Sequence, residues 1–305
     1  MGSISILLGY LLNLIYGLVK NYGIAIILFS ILLKLLLLPL SIKQHKNMKK
    51  TAKIQVKMKE IQEKYKNDQV KMNQEMMDLY KKENMSPFSG CLSSIIQIII
   101  LLAVFGIVRN PLTNMLHVEE NVINNVAQYI KEENGENSLN KSYPQISVLQ
   151  YVEKNKDEKE KIEVKENEEV KEINLEDLYI NMDFLGLDLS NVPQENMKDP
   201  KVFIIPILYV LTSIVSMKMT TNMNKSKEKK EVIELNKEKK EESPEDMTAQ
   251  MSKSMTMFMP LMTVSISLIA PLGLALYWLV NNILMIVERI VLNKVFGAKE
   301  ETENE

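Results

Sequence analysis

The sequence predicts an all-α polytopic membrane protein with five transmembrane helices, a cytosolic helical hairpin and an N-terminal interfacial helix. Three observations carry this. Apolar blocks of about 18 residues or more, long enough to cross the hydrocarbon core as a helix, recur along the chain. The first long connecting segment is rich in Lys and carries two amphipathic stripes. The connecting segments also differ in charge, as loops on opposite sides of a bilayer do. A mean hydropathy near zero conceals this pattern, because it averages long apolar runs with runs of Lys, Glu and Asn that must be read separately.

Residues 1–20 hold the apolar stretch Ile4–Val19, followed by Lys20. No positive region precedes it and no A-x-A-like site follows, which argues against a cleaved signal. Gly9, Asn13 and Gly17 suit it poorly to spanning, so a helix in the membrane interface is expected. The first span is placed at 21–41, around the apolar block Gly23–Leu40. In residues 42–87, Ile54, Met58, Ile61 and Tyr65 recur at i, i+4, i+7 and i+11, one face of a helix. Asn67-Asp68 breaks that helix, and Met72, Met76 and Leu79 begin a second stripe. Two such helices joined by a short turn form an antiparallel hairpin.

The second span is placed at 88–109, around Cys91–Val108. In the segment 110–200, Val122, Ile123, Val126, Ala127 and Ile130 fall on one face of a short helix over Val118–Ile130. The Lys/Glu run Glu153–Glu176 has too little apolar surface to offset chain entropy, so disorder or a solvated helix is expected there. Phe184-Leu185-Gly186-Leu187 is apolar again and is expected at the outer interface. The third span is 201–219, and residues 220–254 form a loop. The apolar run Met255–Leu292 is too long for one span. Ala270-Pro271-Leu272-Gly273 is a turn signal that divides it into spans at 255–270 and 271–292, followed by a tail at 293–305.

Charge sets the orientation. Residues 41–87 carry twelve Lys against six acidic residues, whereas residues 110–200 carry twenty acidic residues against nine Lys. The positive-inside rule places the first of these in the cytosol. With five spans the N-terminus is then outside and the C-terminal tail inside. The Lys residues of the hairpin lie where each contributes about 1 kcal/mol of attraction to an anionic inner leaflet.

Composition narrows the function. Cys91 is the only cysteine and the two histidines, His45 and His117, are far apart, so no Cys-based metal site or disulfide framework is expected. No cofactor, metal or catalytic residue is expected. A formal net charge of −2 argues against nucleic acid as a partner. The twenty Met residues suit either lipid-facing helices or an adaptable binding surface.

Lys34 is the most informative residue. It is flanked by Leu32, Leu33 and Leu35–Leu38, and a Lys at the bilayer centre costs roughly 2.5–3.5 kcal/mol on insertion scales. About seven residues from the end of its span, it lies about 10 Å deep, so snorkelling relieves part of that cost. A water-filled cavity open to the cytosol relieves more. Gln97, Thr212, Ser213, Ser216, Trp278, Asn281 and Asn282 are further polar groups within the spans, suited to lining that cavity or to bonding between helices. The first four spans contain no acidic residue, so the sequence shows no counter-ion for Lys34. A lone cation in a wet pocket suits an anionic guest.

The ordered set of motifs resembles the YidC/Oxa/Alb insertase family. The residues concerned are Asn21-Tyr22-Gly23, Lys34 with Leu38-Pro39, Met76-Met77-Asp78-Leu79-Tyr80-Lys81-Lys82, Ser86-Pro87 with Gly90-Cys91-Leu92, and Gln97. Further along come Phe184-Leu185-Gly186, Met255-Thr256-Met257-Phe258-Met259-Pro260 and the run Pro271–Trp278. The chain departs from the family in three places. Lys34 stands where Arg is usual and lacks the planar fork, Ser93 stands where Pro is usual, and the outer segment 112–180 is longer.

The resemblance implies a helical bundle in a bacterial plasma membrane, with a groove open to cytosol and lipid lined by Lys34, Gln97, Thr212, Ser216, Trp278, Asn281 and Asn282. A nascent span and its polar flank would enter this groove and leave sideways along Ile98, Leu101, Leu102, Ile266 and Ile269. The implied partners are nascent membrane proteins and membrane lipids, with the ribosome and a protein translocation channel as further ones. A small transporter or channel, normally built with paired ion sites and internal repeats, and a passive assembly scaffold are the alternatives. An enzyme is disfavoured by the absence of an H-E-x-x-H or comparable motif.

Overall fold

The computed structural model describes residues 2–83, 89–135, 138–155, 161–166, 169–231 and 265–302. Helices dominate: α1 (Gly2–Val19), α2 (Tyr22–Lys64), α3 (Gln69–Lys82), α4 (Ser89–Arg109), α5 (Pro111–Asn114), α6 (Glu120–Asn134), α7 (Pro144–Asn155), α8 (Ile204–Glu231) and α9 (Leu272–Thr302). Two small antiparallel ribbons, β1 (Lys161–Glu166) with β2 (Glu169–Asn174) and β3 (Asp183–Phe184) with β4 (Leu187–Asp188), interrupt them. Among the described residues three helical stretches are long and apolar enough to cross a membrane: Tyr22–Asn47, Pro200–Met219 and Leu272–Val295. The protein is an all-α polytopic membrane protein. Residues 255–264 of the expected fourth span lie outside the described residues, as do 84–88 and 232–254.

The chain forms two compact units. The first comprises Met1–Leu33, Ile99–Leu211 and Thr263–Ile283. Its core starts from α2, where Tyr22, Ala25, Ile26, Phe29 and Leu33 recur on one face and are buried. Ile24, Leu28 and Ile31 on the other face are exposed, as lipid-facing residues of a span are. Helix α1 joins the same core through Leu12, Ile15 and Tyr16, while Leu7, Leu14 and Leu18 remain exposed. α1 is therefore packed along one face and apolar along the other. Gly9 permits this packing, because a Cβ there would overlap the Asn114 carbonyl oxygen of α5.

The joint between α1 and α2 is pinned by residues 181–184. Lys20, at φ 51°, ends α1. Asn21 caps α2 by accepting from the Ile24 N–H at 3.0 Å, a role that suits a short polar side chain at a helix start. The Asn21 side chain donates to the Asp183 carbonyl at 2.6 Å. The Tyr22 N–H donates to the Asn181 carbonyl at 3.0 Å, and the Asn181 N–H donates to the Tyr16 hydroxyl at 2.9 Å. The Phe184 ring lies against Gly23, where any Cβ would collide with it.

The described residues of the segment 110–200 are more ordered than its composition suggests. Ile123, Val126 and Ile130 of α6 are buried, matching the expected stripe. α7 contributes Ile146, Val148, Leu149 and Val152 to the same core. The expected disorder or solvated helix over Glu153–Glu176 is corrected: β1 and β2 pair there, with Ile162 opposite Ile173. The physical reason lies in β1, where Ile162 and Val164 alternate with charges as in a half-buried strand. Ile162 is 1% exposed, so one face of the ribbon is covered, and Lys161 pairs with Glu172 at 2.6 Å on the wet side. The turn Leu185-Gly186 between β3 and β4 has φ 56° and 76°, the two positive values of a tight hairpin turn.

The expected break at Ala270-Pro271 is present. Residues 265–269 are helical and α9 starts at Leu272. The first free N–H groups of α9 are satisfied from the segment 110–200, since Leu272 donates to the Asn191 carbonyl and Gly273 to the Leu189 carbonyl, both at 2.9 Å. A helix start buried in a membrane protein needs such acceptors.

The second unit comprises Lys34–Ile98, Thr212–Met262 and Leu284–Glu305. α2 runs through Pro39 without ending, so the first span and the first arm of the hairpin form one helix. Residues 65–67 turn the chain and Asp68 caps α3, accepting from the Lys71 N–H at 3.0 Å. Ile54 and Leu79, one from each expected stripe, are buried. Lys57 bonds Glu83 at 2.8 Å, and the Tyr65 hydroxyl donates to Glu75 at 3.2 Å. Lys57 holds the Glu83 carboxyl below its usual value.

Candidate functional site

α2 and α9 carry the charges of the second unit into the apolar spans. Lys34 lies within Tyr22–Asn47 and Glu288 within Leu272–Val295. The Lys34 Nζ sits 2.7 Å from the Glu288 Oε2, with the two side chains 19% and 11% exposed. Counting at about 1.5 Å per residue, Glu288 lies roughly 10 Å from Val295, at the end of its span. The expectation that Lys34 has no counter-ion is therefore corrected, because Glu288, in the expected fifth span, supplies one. The pairing offsets the insertion cost that an isolated Lys would carry at that depth.

The pair is incompletely satisfied. The second carboxylate oxygen, Glu288 Oε1, is buried and has no hydrogen-bond partner among the described residues. Arg289, next along α9, is half-buried, and its Nη1 donates to the Ser216 carbonyl at 3.3 Å. Ser216 is buried and Thr212 half-buried, both on α8. The second unit thus brings Lys34, Glu288, Arg289 and the α8 residue Ser216 into one polar patch inside otherwise apolar helices. The side chain of Gln97 lies outside the described residues. Ile98, also in this unit, is 47% exposed.

The first unit holds the remaining expected residues. Trp278 is buried and tilts against Tyr209 with ring centroids 6.0 Å apart. Its indole Nε1 is buried and has no hydrogen-bond partner among the described residues. Asn282 is buried and Asn281 half-buried. Of the expected lateral path, Leu102 and Ile269 are exposed, while Leu101 and Ile266 pack partly against the core.

Glu288 and Arg289 are further candidate site residues, which the expected set does not include. The signal was present as two adjacent charges inside the apolar run Leu272–Leu292. Ionisable residues at such positions have a partner or a function by default. The first four expected spans hold no acidic residue, and the partner lies in the expected fifth.

The chain matches the 60Kd inner membrane protein family over residues 14–300. It is 43% identical over 103 residues to a protein of Fusobacterium nucleatum subsp. nucleatum named membrane protein insertase YidC, covering 34% of this chain and 50% of that protein. It is 42% identical over 109 residues to a protein of the same name from Caldanaerobacter subterraneus subsp. tengcongensis, covering 36% of this chain and 53% of that protein. A third of that name, from Geobacter metallireducens, is 27% identical over 289 residues, covering 95% of this chain and 36% of the relative. The chain thus spans about half, or less, of the length of these curated relatives.

Proposed function

The chain belongs to the 60Kd inner membrane protein family, and on that premise we propose that it is a membrane protein insertase, moving nascent transmembrane segments and their short polar flanks into a bacterial plasma membrane. The observation that carries the proposal is the polar patch around Lys34 inside otherwise apolar helices. A polar flank meets an insertion barrier because its groups lose water. Charged and hydroxyl groups part-way across replace some of that water and lower the barrier. The apolar segment then leaves into lipid along Ile98, Leu101, Leu102, Ile266 and Ile269. Gln97, Trp278, Asn281 and Asn282 are further candidate contacts for the flank.

The N-terminus faces outward and the tail lies in the cytosol, an orientation supported by the Lys excess of residues 41–87. In that orientation an acidic flank moving outward also gains about 2.3 kcal/mol per charge per 100 mV from the membrane potential. The substrates are nascent membrane proteins, and the ribosome and a translocation channel are natural partners for such a reaction. The test is reconstitution of the purified chain in liposomes with a single-span substrate and a protease-protection readout. Substrate protected no better than in empty liposomes would reject the proposal.

A further inference from the structure

We propose that Glu288 is a displaceable counter-ion that sets the charge preference of the site: it holds Lys34 at rest, and the acidic flank of an incoming segment takes its place. The proposal rests on the insertase reading and adds a residue and a specificity to it.

Three observations support exchange over a purely structural pairing. Lys34 Nζ meets one carboxylate oxygen at 2.7 Å, while the other, Glu288 Oε1, is buried without a hydrogen-bond partner among the described residues. A structural ion pair recovers its desolvation cost only when the remaining lone pairs are also bonded, and this one leaves part of that cost unrecovered. Lys donates from a flexible stem as a point charge, so it changes partner without the geometric penalty of a bidentate fork. Arg289 is the next residue in the chain and is held in the same patch by its bond to the Ser216 carbonyl, so a second cation stays in the patch when Lys34 turns to a new carboxylate. The exchange conserves the number of ion pairs. Its driving force is the difference between two carboxylates competing for one ammonium, and a neutral flank offers no competitor. A resident carboxylate therefore lowers the advantage that acidic flanks would have over neutral ones at an unpaired Lys34.

The test uses the full chain in liposomes with two matched single-span substrates, one with two Asp in its flank and one with two Asn. The quantity read is the ratio of their insertion rates. Glu288→Gln should raise the acidic-to-neutral ratio by at least about fivefold, the effect of a solvent-exposed ion pair, because this pair is mostly buried. Lys34→Gln should bring the ratio close to one, and the double variant should behave like Lys34→Gln, because Glu288 acts through Lys34. An unchanged or lower ratio in Glu288→Gln overturns the proposal, as does a double variant that behaves like Glu288→Gln. Should Glu288→Gln fail to accumulate, Glu288→Asp shortens the partner and should raise the ratio by about twofold; no rise overturns the proposal. A parent protein that inserts neither substrate rejects the insertase reading itself, an outcome distinct from a parent that inserts both while the variants leave the ratio unmoved.

Discussion

Replacing Lys34 by Met separates two accounts of the intramembrane charge. An unpaired Lys among leucines costs insertion energy, so its removal should stabilise the protein. The 2.7 Å contact with Glu288, and side chains only 19% and 11% exposed, reverse that expectation. At an effective dielectric of about 20, unit charges at that separation attract by about 6 kcal/mol. Desolvation of several kcal/mol per ion offsets most of this, leaving a net contribution near zero. Removing one partner forfeits the attraction while the other ion keeps its desolvation cost. Lys34→Met should therefore destabilise the second unit by about 3–5 kcal/mol. Lys34→Met/Glu288→Met replaces both ions with apolar side chains and should recover most of that loss. A double-mutant cycle measured by reversible denaturant titration in mixed micelles reads the coupling directly. If Lys34→Met is as stable as the parent, or if the double variant is no more stable than the single, the pair is not a coupled unit and the energetic argument fails.

Other consequences are open to measurement. Ile162→Ala should cost about 2–5 kcal/mol, because the side chain is 1% exposed under the ribbon; a loss below 1 kcal/mol in thermal unfolding would mean that the β1–β2 ribbon is not part of the core. Gly9→Ala should cost at least about 1–3 kcal/mol, since its Cβ meets the Asn114 carbonyl, and a variant of unchanged melting temperature would contradict the close packing of α1 on α5. Glu83 is depressed below 4.5 by the hydrogen bond from Lys57, so this contact supports the closed hairpin fully above about pH 4.5 and loses its effect as pH falls through the depressed value. Spin-label distances between positions flanking Lys57 and Glu83 should broaden as this contact is lost in the parent, with no such pH step in Glu83→Gln. Cysteines introduced in α3 and in α7 should label from opposite sides of the membrane; labelling from one side would reject the proposed orientation.

Much of the architecture was legible because it depends on short-range pattern. The spans at Lys34, at Thr212 and at Trp278 follow from apolar length, and the hairpin follows from the spacing of Ile54, Met58, Met72 and Leu79. The breaks at Asp68 and Pro271 follow from local backbone chemistry. These properties belong to a few neighbouring residues, and water or lipid reads them without reference to the rest of the chain. The segment 110–200 was legible only in part. The stripe of α6 has a strong helical period, whereas the alternation of Ile162 and Val164 is short, is diluted by charge and becomes decisive only when α6 packs on β1. The helical continuity through Pro39 was also hidden, since the preference of Pro to end a helix is local while the packing that carries α2 past it is not. The lone positive charge was visible, but its partner was not. Lys34 and Glu288 are separated by most of the chain, and only the packing of α2 and α9 within the second unit brings them to 2.7 Å. Burial cost is written in the identity of a residue, whereas the pairing that offsets it depends on which distant helix lies alongside, and that is decided by tertiary structure alone.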